Sequence, residues 1–185
     1  MRKLIRKLSD MRGISGFEYR LTDRIADMFK KYCDDVKIDS LGSVIAVKRC
    51  NKPNAPKLMI EAHCDEIGLI VTSITDEGYL TFANVGGVDE RTLPSTEVTV
   101  HGKEDLWGVI GIKPNYLLEQ GKTAKLKELA VDTGLSAEKV KKLAAVGDSI
   151  TLAQSVGRLG KKQFSGKSLD DRASVAAIMR VMKNI

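Results

Sequence analysis

Residues 58–71, LMIEAHCDEIGLIV, set one histidine and three acids between two aliphatic runs. The preceding stretch KLMIEA, residues 57–62, has the short continuous apolar pattern of a strand buried on both faces. Charge at the end of a buried strand is costly unless it is paired or put to use. The stretch therefore restricts the chain to folds in which a strand end opens onto a polar site, as the carboxyl ends of α/β strands do.

The flanking sequence supplies the rest of such a fold. Phe17, Leu21, Ile25, Met28 and Tyr32 recur at three- and four-residue steps, and Ser15 with Glu18 forms a capping-box pattern, which predicts an amphipathic helix. DDVKID and SVIAVKR read as strands on either side of Leu41-Gly42. From about residue 69 to 153 the texture becomes short alternating strands (GLIVTSI, GYLTFANV, TEVTVHG, DLWGVIGIK, SITLAQSV) broken by glycine-rich turns, with one helix at SAEKVKKLAAV. Val175, Ile178, Met179 and Met182 then mark a last helix. The fold class is α/β with an inserted small β-barrel-like module. The expected domains are 1–68 and 154–185, two segments of one α/β unit, and 69–153, the insert. An apolar final helix needs something to cover it. It packs back on the existing sheet, or the chain is the front part of a longer polypeptide.

At 185 residues the chain can bury one sizeable core. No stretch is apolar for long enough to span a membrane, and the basic start lacks the apolar run of a secretion signal, so a cytoplasmic protein is expected. Cys33, Cys50 and Cys64 are odd in number and lack C-x-x-C spacing, which argues for reduced thiols. The net charge of +6 is spread along the chain rather than gathered beside aromatics, so no nucleic-acid partner is expected.

Imidazole and carboxylate groups at strand ends are the ligands of divalent-metal hydrolases. His63 ends the apolar strand, and Asp65 is placed to hold the second ring nitrogen, which would fix the tautomer and raise the basicity of the other. H-x-D alone is a common structural pattern. Asp170 and Asp171 precede the last helix, where one can bridge cations while the other is held by Arg172 or by helix amides. The bland reading is an acidic helix start, and Asp34-Asp35 shows that the pair occurs without such a setting. GKKQFSGKS approaches a phosphate-binding loop but has five residues between Gly160 and Gly166, one too many, and acids where the phosphate-facing helix would begin. His101 falls on a hairpin of the insert and reads as a surface or turn residue.

Taken in order, EAHCDEIGLIV, RTLPSTEVTVHG, GVIGIKPNY, VGDSITL and GKSLDDRASVAAI resemble the tetrahedral dinuclear metallo-aminopeptidases, a family also called glutamyl aminopeptidases and endoglucanase or cellulase M. The resemblance implies a zinc-peptidase-like catalytic domain, partial here, interrupted by a β module serving assembly and substrate access. It implies two divalent cations, zinc or cobalt, and homo-oligomers of twelve subunits acting on peptide substrates. By motif match His63 binds one metal, Asp65 is the catalytic residue that orients it, and Asp170 bridges both metals across a cis Asp170–Asp171 bond. Glu61, Glu66, Asp171 and Arg172 are support. The implied mechanism activates a water between the cations, a glutamate takes its proton, and the hydroxide attacks the first peptide carbonyl. The family's Glu-Glu pair, a later ligand Asp and a ligand His have no counterpart up to Ile185. The expectation is therefore a chain inactive by itself that needs a complementary carboxyl-terminal chain. The alternative is a non-catalytic assembly or peptide-binding subunit of the same fold.

Overall fold

The computed structural model describes residues 1–112 and 124–185. Two compact units form, one from Met1–Glu66 with Ser155–Ile185 and one from Ile67–Gln154.

In the first unit, α1 (Arg2–Ser9), α2 (Tyr19–Phe29) and α4 (Leu169–Asn184) share a core of Leu8, Leu21, Ile25, Phe29, Val175, Ala176 and Met179. The last helix is thus covered by helices rather than by a sheet. Its regular part begins at Arg172, because Asp170 (φ −87°, ψ 106°) and Asp171 (φ −121°, ψ 29°) are not helical. Strands β1 (Asp35–Ile38) and β2 (Val44–Val47) form a two-stranded antiparallel hairpin. The Asp39 carboxylate caps its turn by accepting from the Leu41 and Ser43 amides, both at 2.9 Å. A second small hairpin pairs β9 (Gly157–Leu159) with β10 (Gln163–Ser165).

The second unit is a closed antiparallel barrel of β3 (Gly68–Ile74), β4 (Leu80–Val85), β7 (Leu129–Asp132), β6 (Asp105–Ile112), β5 (Glu97–His101) and β8 (Ser149–Leu152), in that spatial order. Alternation along the strands fills the interior with Leu69, Val71, Leu80, Val98, Val100, Ile110, Val131 and Ile150, each 1% exposed or less. The short helix α3 (Ala137–Leu143) adds the buried Val140 to this core. At Gly102 a Cβ would lie 2.2 Å from the Leu143 carbonyl oxygen, so only glycine lets the turn between β5 and β6 meet the end of α3. The motif GVIGIKPNY is seen only to Ile112; its remainder, from Lys113, lies outside the described residues.

Three sequence expectations fail here. KLMIEA forms no strand: Leu58 and Met59 are 85% and 83% exposed, and the segment pairs with nothing among the described residues. A strand buried on both faces needs partners on both edges, and among the described residues none pairs with it. The helix predicted from Phe17 to Tyr32 is shorter, starting at Tyr19 and ending at Phe29. The capping box is not made either: no side chain caps α2, and Glu18 instead accepts from the Gly16 amide at 2.8 Å.

Candidate functional site

The loop bearing His63 and Asp65 is fixed by a buried charge network. Ile14 pairs in parallel with Glu66, whose amide donates to the Gly13 carbonyl at 2.9 Å, while the Gly13 amide donates to Glu66 Oε1 at 3.0 Å. Glu66 Oε2 accepts from Lys167 Nζ and from the Ser168 hydroxyl, both at 2.5 Å. Arg172, with no exposed surface, donates from Nε to the Cys64 carbonyl at 2.7 Å and from Nη1 to the Leu8 carbonyl at 3.0 Å and the Met11 carbonyl. Its Nη2 lies 3.6 Å from Glu66 Oε1. The rigid five-donor fork of an arginine suits this many fixed acceptors. Burial pushes Lys167 and Arg172 below their ordinary pKa ranges, and the Glu66 carboxylate opposes that shift. Arg172 therefore supports the site from beneath, by holding the chain at Cys64, and does not hold Asp170 or Asp171.

On this floor, segments far apart in sequence meet. Asp65 Oδ1 lies 2.9 Å from His63 Nδ1, and His63 Nε2 lies 3.2 Å from Asp170 Oδ1. The Ser15 hydroxyl donates to Asp65 Oδ2. Asp170 is freely exposed, Asp171 is half-buried, and the peptide bond between them is cis. The Ser15 hydrogen bond, aided by His63, holds the Asp65 carboxyl below the usual range. Asp65, with a smaller effect from Asp170, holds His63 above its own.

An ionised carboxylate only accepts, so Asp65 places a proton on Nδ1 and leaves the Nε2 lone pair facing the Asp170 oxygen. Two acceptors at 3.2 Å repel unless positive charge lies between them. Either a proton on Nε2 or a cation meets that need. An imidazole nitrogen and a carboxylate oxygen are the right kinds of donor for zinc or cobalt, but two are fewer than such an ion takes from a protein. Among the described residues no group of three or more His, Cys, Asp or Glu side chains is placed to hold a metal ion.

Glu61 is exposed on the strandless segment and joins none of these contacts. His101, read as a surface or turn residue, ends β5 and is largely buried, with Nδ1 2.7 Å from Asp105 and Nε2 2.9 Å from the Thr151 hydroxyl, an internal clip of the barrel. The phosphate-loop reading fails on geometry. Its residues are spent in the β9–β10 hairpin, and Lys167, the lysine that would meet phosphate, is turned onto Glu66 and the Met11 carbonyl. Sequence reasoning missed Ser15, Lys167 and Ser168. The first was absorbed into a helix-cap pattern, and the other two into the false phosphate loop.

Residues 42–185 match the family model described as M42 glutamyl aminopeptidase. The lysyl aminopeptidase of Pyrococcus furiosus is 33% identical over 191 residues, covering 99% of this chain and 54% of that protein. An aminopeptidase from the archaeon Desulfurococcus kamchatkensis superimposes with a TM-score of 0.91 at 36% identity, over 98% of this chain and 51% of that one. The TET1 peptidase of Pyrococcus horikoshii, which can assemble into a tetrahedron or a large octahedral shell, gives 0.83 at 33% identity over 100% and 56%. The chain spans about half the length of these relatives. The match across the hairpin, barrel and last helix places the chain in the M42 glutamyl aminopeptidase family.

Proposed function

We propose that this chain supplies one wall of a metal-dependent aminopeptidase site that removes amino-terminal residues from peptides. The observation that carries the reading is the convergence of His63 Nε2 and Asp170 Oδ1 at 3.2 Å from positions 107 residues apart, on a floor that fixes both. In this reading His63 binds one of two divalent cations, zinc or cobalt, Asp170 bridges both, and Asp65 fixes the His63 ring. Glu66, Arg172 and Asp171 hold the loops in place. Cations in such a site polarise a carbonyl and acidify a water. This chain's own task is to present an unprotonated Nε2 beside an exposed carboxylate.

The remaining ligands and the general base come from outside the described residues. Leu58 and Met59, apolar and open to solvent, support a further polypeptide that pairs with residues 57–62. The chain alone is then inactive. The relatives' shells support a homo-oligomer, with the barrel serving assembly and substrate access, in the cytoplasm. The shortage of metal donors among the described residues favours one rival, a non-catalytic assembly or peptide-binding subunit.

The test is hydrolysis of amino-acid anilides by the 185-residue chain with added zinc or cobalt, alone and with the polypeptide corresponding to the relatives' other half. Activity only in the mixture, abolished by His63→Ala, is the expected result. No activity in any mixture or with any metal supports the rival. Activity of the chain alone overturns the claim that its site is incomplete.

A further inference from the structure

Resting on the reading of His63 as a ligand, we propose that Ser15 is a positioning residue of this site, locking Asp65 so that Asp65 selects the tautomer and direction of the His63 ring. The serine that looks like a helix cap has been released from that duty. Glu18 bonds the Gly16 amide, α2 begins without a side-chain cap, and Gly16, at φ +87°, turns the chain away directly after Ser15. The hydroxyl is thereby free to face Asp65. Its placement does not depend on the side-chain contact itself. The parallel pairing of Ile14 with Glu66 and the hydrogen bond from the Glu66 amide to the Gly13 carbonyl set residues 13–15 alongside residues 65–66 through the backbone, and the Gly13 amide adds a bond to the Glu66 side chain.

The chemistry follows from counting donors. Asp65 has two oxygens, and each has one assigned partner: Oδ2 takes the Ser15 hydroxyl and Oδ1 lies 2.9 Å from His63 Nδ1. With both engaged, the carboxylate is held against the ring and presents an acceptor to Nδ1. The ring proton is then held on Nδ1, and Nε2 keeps its lone pair toward Asp170. Without the hydroxyl, Oδ2 loses its side-chain partner, and the carboxylate is held less firmly. The ring can then carry its proton on Nε2, where it would block a cation. Partners behind a ligand histidine of this kind are worth about 10–100-fold in metal affinity.

The experiment uses the full chain, with its ring nitrogens labelled, at a pH where His63 is neutral. Nitrogen NMR reads the tautomer with no metal present, and a cobalt titration of the chain mixed with the polypeptide corresponding to the relatives' other half, followed by visible absorption, reads affinity separately. The wild type is expected to hold a larger Nδ1–H fraction of His63 than Ser15→Ala does, and Ser15→Thr to restore the wild-type fraction. Thermal midpoints should stay alike, because the backbone pairing at Ile14 remains. Cobalt affinity should fall about tenfold in Ser15→Ala and recover in Ser15→Thr. If Ser15→Ala is poorly folded, Ser15→Cys, a weaker donor on a slightly larger side chain of the same shape, should give an intermediate tautomer mixture. An unchanged Nδ1–H population in Ser15→Ala or Ser15→Cys would overturn the proposal. Failure of the wild type to bind cobalt in that mixture would count against the ligand reading instead, and the tautomer measurement would still decide the role of Ser15.

Discussion

The two compact units treat the same kind of sequence in opposite ways. In the barrel every strand has a partner on each edge, and interior residues such as Leu69, Val71, Val98, Val100 and Ile150 end up at 1% exposure or less. In the other unit Leu58, Met59 and Ile60, equally apolar, stand in the open at 85%, 83% and 49%. Propensity is the same, and the difference lies in neighbours: a strand is made by what pairs with it. The first unit has an apolar core between α1, α2 and α4, and its loops are tied by a polar network of Glu66, Lys167, Arg172 and Ser168. One unit is closed on itself and the other adds a buried ionic knot to its helical core, and that contrast can be broken from either side.

The largest effect is expected at Glu66. Its side chain is 3% exposed and satisfies Lys167, Ser168 and the Gly13 amide, so Glu66→Ala strands two buried cations. Breaking such a group by removing one partner costs about 3–5 kcal/mol. The loss should fall on the helical unit alone. Amide exchange should accelerate in α1 and α4 and stay unchanged in β5, β6 and β8; equal acceleration in both would mean that the units do not respond separately.

The reciprocal variant is Leu80→Ala. This side chain has no exposed surface inside the barrel, and truncation there costs about 2–5 kcal/mol through lost burial and the cavity left behind. Exchange should now rise in the barrel strands and spare α1 and α4. Slow exchange throughout would show that the barrel wall collapses onto the gap.

How much of this contrast is legible in the sequence depends on the range of the interactions. Alternation in TEVTVHG and DLWGVIGIK is a local signal, and these become β5 and β6 within a residue or two. The last helix follows from the spacing of Val175, Ile178, Met179 and Met182 for the same reason. KLMIEA misleads because its pattern records a demand for partners without saying whether they are there. At the site, His63, Asp65 and Asp170 stand out as residue types, and the structure brings all three together. Ser15 and Lys167 are not legible, because a serine before a helix and a lysine after a glycine each fit a commoner local pattern. Only the fold shows that Ser15 meets Asp65 and that Lys167 meets Glu66.

A smaller effect is expected from pH. Asp65 has its pKa depressed in the folded chain, so its contribution is complete above the unfolded value of about 3.9 and is lost as pH falls through the folded one. His63 has its pKa raised, so its contribution is complete below the unfolded value of about 6.5 and is lost as pH rises through the folded one. The pair therefore contributes most between these two unfolded values. Because His63 is more than half exposed, solvent screening keeps that contribution below about 1 kcal/mol. Proton NMR of the His63 ring should give a midpoint above about 6.5 that moves back toward it in Asp65→Asn. A midpoint indifferent to that substitution would separate the two groups.

The smallest effect is the most telling about the open segment. Exposed apolar side chains that touch little contribute little, so Leu58→Ser with Met59→Ser should change the stability of this chain by no more than about 0.5 kcal/mol. Val71→Ser, the same kind of change at a position 1% exposed, should cost several times more, because it loses buried apolar surface and leaves a hydroxyl to be satisfied in the barrel core. Urea unfolding of the two variants side by side measures the difference. If the double variant proves as costly as Val71→Ser, then residues 57–62 are already covered in solution by another copy of the chain, and the cost should shrink on dilution. If it costs nothing here but prevents activity from appearing in the two-polypeptide mixture, the open apolar run is what the second polypeptide binds.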